Sequence, residues 1–520
     1  MFVPTKDPCP LPPGIYHTDA WNRRPLFIVN NLLVDCWEEA YALHGEPCLD
    51  DVNPAYVKSL ITHESNANVS PYKLIKRIPR SHFVLNSDDK DICCYSTPPF
   101  RSGSGLPRMH EKELYEYIRL TVVNSIRGQL GCDASNIACE HSSGLDSNAI
   151  MGCIVNGIGI APDKIHTITW MESVDDIYMP PMRQNFDLID RQCHEIVSRV
   201  PYCSSFNFNG LCNQDLKIFG CPPQHVSSFE ELKLLNANHC SVFFSGFGGD
   251  QALSHHGRNV GTDLATFHSL KAFHQWMGAQ CFPLRHFLSR FLASKNRYWA
   301  RSRTLRLDSK TYSSFEDLLV DSLTSSGRNW LGPVSARAYP WELDSYSPLK
   351  ISLENRILAD WIAVRMEEEF RAAAYFNIHK VFPFLNEQVV STLLNQEALL
   401  FRDSVKTGNG RLVHRRAFAP YLPLCLDDLP DKLRPFSPEV RDIIDNEPAL
   451  NIKESCLFFL GLSELHPQVY RYWDVDMIKT SVDPFLHSGK ATYLQSRDIF
   501  NCLRTINVLS NWWKKLDDRG

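Results

Sequence analysis

Short apolar runs separated by turn residues characterise the first part of the chain. Leu26–Val29 predicts a strand, and residues 81–85 are predicted to pair with residues 92–95 as two further strands. The segment 98–107 is rich in proline, glycine and serine, a composition typical of a linker. We therefore expect a β-rich N-terminal region that ends at about residue 105.

Beyond this linker, apolar runs alternate with segments of helical length. The predicted strands are 137–139, 166–170 and 241–244. The predicted helices among them are one that starts near Lys112, 148–156 and 187–200. Such alternation is typical of a parallel sheet covered by helices. From about residue 260 helices predominate, and they are predicted at 264–275, 284–292, 355–375, 389–394 and 496–515.

Composition and charge narrow the class of protein. A hydrophobic content of 44% and a charged content of 22% are ordinary for a soluble globular protein. The net charge of −5 provides no overall attraction to nucleic acid or to an anionic membrane, and no apolar run approaches the ~18 residues of a membrane span. The 17 cysteines form no C-x-x-C pair, and no secretory signal precedes them. We expect reduced thiols in a cytoplasmic protein without nucleic-acid or membrane partners.

The first predicted strand of the sheet ends in the polar turn 142–147 (SSGLDS). The backbone N–H groups of Ser142, Ser143 and Gly144 can converge on one point, and the following helix adds its positive end, so the turn suits phosphate or pyrophosphate. Asp146 lies in the same turn, where a carboxylate can hold a magnesium ion on phosphate oxygens. An N-capped helix after a strand favours the same residue types, so this turn alone leaves both interpretations open.

The strand 241–244 ends in a second turn of the same kind, 245–250 (SGFGGD). Its three glycines allow close approach of the backbone to a ligand. Asp250 repeats the position of Asp146, and both turns follow the carboxyl ends of strands, where ligands of parallel sheets bind. Two carboxylates there can share magnesium on a triphosphate, so that pyrophosphate is the leaving group. The pair of turns favours a nucleotide site more strongly than either turn alone.

Four motifs resemble one known family. SSGLDS is similar to the S-G-G-x-D-S signature of the PP-loop ATP pyrophosphatases, and with SGFGGD it resembles the synthetase domain of asparagine synthetase-like proteins. Residues 365–370 (RMEEEF) and 381–390 (VFPFLNEQVV) resemble that family's R-x-E…P-F-L-D-x-x-V-V segment. Residues 411–423 (RLVHRRAFAPYLP) resemble its K-x-x-L-R-x-A…L-P stretch. The resemblance extends over roughly 115–440.

The resemblance implies a fold and a division into domains. It implies an α/β fold with a parallel sheet of PP-loop (adenine nucleotide α-hydrolase-like) type and a helical C-terminal part. The implied domains are a truncated, non-catalytic glutaminase-like β-rich domain (1–105), an ATP-binding amidoligase domain (110–440) and a helical extension packed on it (441–520). A true glutaminase carries a nucleophilic cysteine where this chain has Phe2, and a phenyl ring cannot attack an amide. We therefore expect no ammonia from glutamine.

The resemblance also implies a reaction and a set of site residues. ATP converts a carboxylate to an acyl-adenylate with loss of pyrophosphate, and an amine then forms the amide and releases AMP. ATP and Mg²⁺ are the implied cofactors, and Asp146 and Asp250 are the implied metal ligands.

The resemblance implies a set of residues in contact with pyrophosphate and the adenylate, namely Ser142, Ser143, Gly144, Asp146, Ser147, Ser245, Gly246, Gly248, Gly249 and Asp250. Thr169, Trp170 and Met171 are expected beside adenine, with a plain strand end as the alternative. Lys432 is expected to neutralise charge on the phosphates or the oxyanion.

Departures from the family pattern shape the expected function. Asparagine synthetases carry a glutamate at the position of Phe247 and an acidic residue at that of Gln251, while Ser143 and Asn148 replace a glycine and a serine. We expect an amide ligase whose nitrogen comes from a bound amine, with a lasso-peptide macrocyclase favoured and a β-lactam synthetase-like enzyme as the alternative. A peptide precursor and biosynthetic partner enzymes are the corresponding partners. A non-catalytic nucleotide-binding or partner protein is the rival hypothesis.

The glutamate run 367–369 lies on a predicted helix, and at most one of its three side chains is expected to point inward.

Overall fold

The computed structural model describes residues 10–21, 23, 25–45, 47–62, 65–87, 92–96, 109–130, 136–141, 144–171, 194–199, 215–225, 229–253, 318–333, 357–396, 411–422, 465–488 and 493–518. The strands of these parts are β1 (Gly14–His17), β2 (Phe27–Val29), β3 (Leu32–Val34), β4 (Lys76–Arg77), β5 (His82–Asn86), β6 (Ile92–Ser96), β7 (Ile137–Glu140), β8 (Ile165–Met171), β9 (His194–Arg199), β10 (Val242–Phe244) and β11 (His379–Val381).

The named helices of these parts are α1 (Trp37–His44), α2 (Pro54–Ile61), α3 (Glu111–Arg127), α4 (Leu145–Gly152), α5 (Glu230–Ala237), α6 (Gly249–Ala252), α7 (Leu318–Asp321), α8 (Ser325–Leu331), α9 (Asp360–Tyr375), α10 (Glu387–Leu394), α11 (Leu412–Phe418), α12 (Pro467–Tyr472), α13 (Val475–Ser488) and α14 (Tyr493–Asp517). None of the described helices combines the length and the apolar character needed to cross a membrane.

The central sheet has the strand order β11-β10-β7-β8-β9, and every neighbouring pair is parallel. The prediction of an α/β fold with a parallel sheet is thereby confirmed. The chain places β8 and β9 on one side of β7, and β10 and β11 on the other. The order therefore reverses between β7 and β10, and parallel sheets bind ligands in the crevice at such a reversal.

Several predicted elements are confirmed with small shifts of their ends. Strand β2 matches the predicted run, β5 pairs with β6 in antiparallel register, and α3, α9, α10 and α14 cover the helices expected there. Helix α4 begins three residues before the predicted Asn148, because Gly144 already has the extended backbone of an N-cap. The predicted linker and the helices at 264–275 and 284–292 lie outside the described residues.

The prediction of a helix at 187–200 is wrong for its described part. Residues 194–199 form strand β9, which pairs in parallel register with β8 from His166↔His194 to Met171↔Arg199. The run 194–199 has only two apolar positions, and these fit both the spacing of a helix and that of a strand. Pairing with β8 decides in favour of a strand. Strand β11 was not predicted, because its three residues (HKV) include a lysine and have no strand pattern of their own.

Apolar side chains cover both faces of the central sheet. On one face Ala138, Ile168 and Phe243 belong to a cluster that also contains residues of the N-terminal region and of α14. There the Trp512 Nε1–H donates to the Tyr72 hydroxyl at 3.0 Å. On the other face a second cluster joins β7 and β10 to α3, α4, α10 and α11. The elements that carry the two turns are therefore fixed from both sides.

All three glutamates of 367–369 are buried, at 5%, 8% and 7% exposure, so the prediction of at most one inward side chain is wrong. Glu367 forms an ion pair with Arg77, and Glu368 accepts hydrogen bonds from the backbone N–H groups of residues 224 and 225, both at 2.8 Å. Glu369 lies 2.7 Å from the Lys380 ammonium. The partners of Glu367 and Glu368 come from distant parts of the sequence, whereas Lys380 follows Glu369 on the next strand, and burial of a carboxylate requires such a partner.

Candidate functional site

The described end of the first turn, from Gly144 onward, is held by hydrogen bonds to neighbouring residues. Gly144 is the N-cap of α4, and its carbonyl oxygen accepts from the Ser147 hydroxyl at 3.1 Å and from the Asn148 side-chain amide at 2.8 Å. The Asn148 Oδ1 in turn lies 3.2 Å from Nε2 of His141, a residue with 1% exposure. Burial is the main cause that lowers the pKa of His141 to about 4. Asn148 thus links the strand end to the helix.

The two turns lie in direct contact. A Cβ atom at Gly246 would come within 2.9 Å of the Ser147 backbone nitrogen, and one at Gly249 would overlap Asp146 Oδ1. Gly248 has a φ of +99°, and a Cβ there would meet Leu385 Cγ at 2.6 Å. Separations this short leave no room for a side chain. Gly246 and Gly249 therefore permit the close approach of the second turn to the first, and Gly248 permits the contact of the second turn with Leu385.

A single guanidinium group links the two aspartates of the turns. Arg411, at the start of α11, forms an ion pair with Asp146 Oδ1 through Nη2 and with Asp250 Oδ1 through Nη1, the latter at 3.1 Å. His414 Nε2 lies 2.9 Å from the same Asp146 oxygen. The Asp146 side chain is 15% exposed, whereas that of Asp250 is 59% exposed. One carboxylate is thus held by two basic residues, and the other faces solvent.

The surroundings of Asp146 keep it ionised. Burial by itself raises its pKa, but the hydrogen bond from His414 and the charge of Arg411 outweigh burial and hold the pKa of Asp146 below its usual value. Burial also lowers the pKa of His414 below its usual value, despite the opposing effect of Asp146. The positive charge beside Asp146 at neutral pH therefore comes from Arg411.

Glu140, at the end of β7, fixes the second turn. Its Oε2 accepts hydrogen bonds from the Ser245 hydroxyl at 2.6 Å and from the Gly246 N–H at 3.1 Å. The Ser245 N–H donates to the Val381 carbonyl oxygen at 2.9 Å, and the Phe247 N–H donates to Ser245 Oγ at 3.1 Å. The turn after β10 is therefore tied to both neighbouring strands.

Phe247 lies in an aromatic and cationic environment. Its ring makes edge contacts with Trp361 and Phe382, at centroid distances of 6.0 and 5.7 Å. The Arg365 guanidinium carbon lies 3.9 Å from the ring centroid, within the range of a cation–π contact. The same guanidinium pairs with Glu369 on the next turn of α9. The Phe247 ring thus presents an aromatic face to Arg365 in the turn after β10.

The structure places only some of the predicted site residues. It brings together Gly144, Asp146, Ser147, Ser245, Gly246, Gly248, Gly249 and Asp250. Thr169, Trp170 and Met171 form the end of β8, but their side chains lie outside the described part of the structure. Ser142, Ser143 and Lys432 also lie outside it.

Three residues at the site were missed by the sequence analysis, namely Glu140, Arg411 and His414. The stretch that resembles the family contains Arg411 and His414, so the resemblance could have indicated both. Glu140 is a charged residue at the end of an otherwise buried strand (IACE), and that position could have indicated a role in the site. The contacts that Glu140, Arg411 and His414 make could not be predicted from the sequence.

The donor set suits a magnesium ion, because Mg²⁺ binds oxygen ligands and is held through one or two carboxylates beside phosphate. The side chains of Asp146 and Asp250 come close enough for one guanidinium group to contact both. A divalent ion shared by these carboxylates would therefore compete with Arg411.

In comparisons with known proteins, no protein-family model and no curated protein matches this chain.

Proposed function

We propose that the protein is an ATP-dependent, AMP-forming amide ligase, which adenylates a carboxylate and joins it to an amine without hydrolysing glutamine. The observation that carries the proposal is the contact between the turns after β7 and β10, where the strand order reverses and both aspartates meet Arg411. Ligands bind at such a reversal in parallel sheets, and phosphates suit a turn that opens a helix. The motif resemblance and the strand order together favour a PP-loop type of fold.

The proposed reaction has two steps. A carboxylate oxygen of the substrate attacks the α-phosphorus of ATP, and the bond to the β-phosphate oxygen breaks to release pyrophosphate. The amine nitrogen then attacks the acyl carbon, AMP leaves, and the amine gives up a proton. Negative charge develops on phosphate oxygens in the first step and on the acyl oxygen in the second, so cations placed there accelerate both steps.

The chain's own residues have distinct parts in this proposal. The backbone of the first turn and Ser147 receive the pyrophosphate, Ser245 and Gly246 line the adenylate, and Arg411 and Lys432 provide positive charge. Asp146 and Asp250 would hold Mg²⁺, which supplies further charge to the phosphate oxygens. Thr169, Trp170 and Met171 are proposed to lie beside adenine.

The proposed substrate rests on the positions where this chain differs from the asparagine synthetase-like motifs that it resembles. The nitrogen is proposed to come from a bound amine rather than from glutamine. We favour a lasso-type macrocyclase acting on a peptide precursor beside partner enzymes of a cytoplasmic biosynthetic route. A β-lactam synthetase-like enzyme is the alternative.

Exchange of labelled pyrophosphate into ATP tests the proposal, with the proteinogenic amino acids and short peptides supplied as carboxylates. The wild-type chain is expected to catalyse exchange with one of these acids. Asp146→Asn and Asp250→Asn are expected to lower the exchange rate by at least about a hundredfold, a loss equivalent to about 3 kcal/mol of transition-state stabilisation. Asp163→Asn, at an exposed aspartate before β8, is the matched control. Full exchange in both site variants would overturn the magnesium–carboxylate model.

A non-catalytic nucleotide-binding protein is the second candidate. The contact of Arg365 with the Phe247 ring favours it, because that position offers no group that can take a proton from an amine. ATP binding measured by calorimetry, combined with no pyrophosphate exchange for any acid tested, would select this candidate over the ligase.

A further inference from the structure

Arg411 has an unusual backbone conformation for a buried, charged residue. Its φ of 70° and ψ of 42° are left-handed, a region that residues with a Cβ atom seldom adopt. Its side chain is only 3% exposed. Helix α11, which follows it, is anchored by Val413, Ala417 and Phe418 in the apolar cluster behind the sheet. Packing of α11 therefore maintains a backbone conformation that is unfavourable for arginine and directs the guanidinium between the two turns.

The two contacts of Arg411 use two different nitrogens. Nη2 pairs with Asp146 and Nη1 pairs with Asp250, so the fork of the guanidinium spans the carboxylates of both turns. A lysine ammonium is a single point charge and has no such fork. The arrangement therefore depends on arginine rather than on positive charge alone.

We propose that Arg411 is the residue that makes this site selective for a metal–nucleotide complex over the free metal ion. In the absence of nucleotide, its guanidinium neutralises Asp146 and Asp250 and so keeps a divalent cation from binding between them. When ATP binds, its phosphate oxygens accept hydrogen bonds from the Arg411 guanidinium. The carboxylates of Asp146 and Asp250 then become available to the metal ion. This inference rests on the proposed function for the identity of the nucleotide.

Charge and hydrogen bonding explain the selectivity. A divalent ion placed beside Arg411 meets like charge at close range in a partly buried site, which is unfavourable. Phosphate oxygens offer the guanidinium two parallel hydrogen bonds, which are among the strongest that arginine makes. Asp146 keeps its contact with the fully buried His414 when Arg411 turns away, and Asp250 is exposed enough to turn toward the metal.

Mn²⁺ binding without nucleotide tests the inference directly. Mn²⁺ is titrated into the full chain, and the free ion is followed by electron paramagnetic resonance. The wild-type chain is expected to bind Mn²⁺ weakly, and Arg411→Gln is expected to bind it at least about tenfold more tightly, a change of about 1.4 kcal/mol. The double variant Arg411→Gln/Asp250→Asn is expected to lose that gain. Arg416→Gln, at an exposed arginine of the same helix, is the matched control.

Arg411→Lys covers the case in which Arg411→Gln does not fold. It keeps the charge but not the fork, so its Mn²⁺ affinity without ATP is expected to rise by a smaller factor. Equal Mn²⁺ affinities in the wild-type chain and in the Arg411 variant that folds would overturn the inference.

A second titration with ATP present separates this inference from the proposed function. The wild-type chain is expected to bind Mn²⁺ together with ATP, and the gain caused by the Arg411 variant is expected to shrink. If the variant gains a Mn²⁺ site but ATP never recruits the ion to the wild-type chain, Arg411 blocks the metal as inferred and the assignment of ATP is wrong.

Discussion

The two turns at the strand-order reversal are held in place by different means. The first is fixed by side chains: Ser147 and Asn148 bind the Gly144 carbonyl, and Asp146 contacts two basic residues of the 411–418 segment. The second is a glycine-rich backbone that fits against the first and is tied down by Glu140.

This difference leaves the two aspartates in unlike situations. Asp146 has one oxygen shared between Arg411 and His414 and is largely buried, whereas Asp250 has a mostly exposed side chain. Removal of a charge from a buried pair leaves its partner uncompensated, whereas water replaces an exposed partner. We therefore expect the first turn to matter more for stability, while both matter for ligand binding.

The largest predicted effect is that of Asp146→Asn on the free energy of unfolding. This variant removes a charge that neutralises the buried Arg411 guanidinium, and we expect a loss of about 4 kcal/mol, measured by urea denaturation at pH 7. Asp250→Asn is expected to cost less than about 1 kcal/mol in the same experiment. Equal losses in the two variants would contradict the proposed asymmetry of the turns.

The next effect concerns the pH dependence that His141 introduces at the first turn. Because burial lowers its pKa from 6.5 to about 4, the unfolded chain binds a proton in this interval that the folded chain does not. Stability contributed by neutral His141 is therefore present above pH 6.5 and falls by about 3 kcal/mol as the pH drops to 4.

Unfolding free energies of His141→Gln measured across this interval are expected to show a shallower slope than those of the wild-type chain. His17→Gln, at an exposed histidine of β1, is expected to leave the slope nearly unchanged. If His141→Gln kept the wild-type slope, the acid sensitivity would have to come from other buried groups.

The smallest of the three effects is that of Gly249→Ala, which tests the fit between the turns. Alanine favours helix over glycine, yet its Cβ would overlap Asp146 Oδ1, so we expect a net loss of about 2 kcal/mol and a lower thermal midpoint. Gly128→Ala, whose Cβ would lie 3.3 Å from the Asn124 carbonyl oxygen, is the control and is expected to cost less. A Gly249→Ala chain as stable as the control would show that the turns are not in close contact.

The predictions from sequence succeeded where a pattern is local and failed where a partner is distant. Strand β10 is a short apolar run and helix α3 has apolar residues at helical spacing, and both are present. Strand β9 exists because β8 lies beside it, and nothing within its own six residues determines that pairing. Glu367 and Glu368 show the same limit, because their partners, Arg77 and the backbone at residues 224 and 225, lie far away in the sequence.

The sequence by itself determined strands β7, β8 and β10 and the acidic turns that follow β7 and β10. These depend on side-chain period and on glycine, whose effects act over a few residues. Only the tertiary structure decided that the turns touch, that Glu140 binds the second turn, and that Arg411 joins Asp146 to Asp250. Arg411 and Asp146 are 265 positions apart in the chain, and a contact over such a separation follows from packing of the whole sheet rather than from any local pattern.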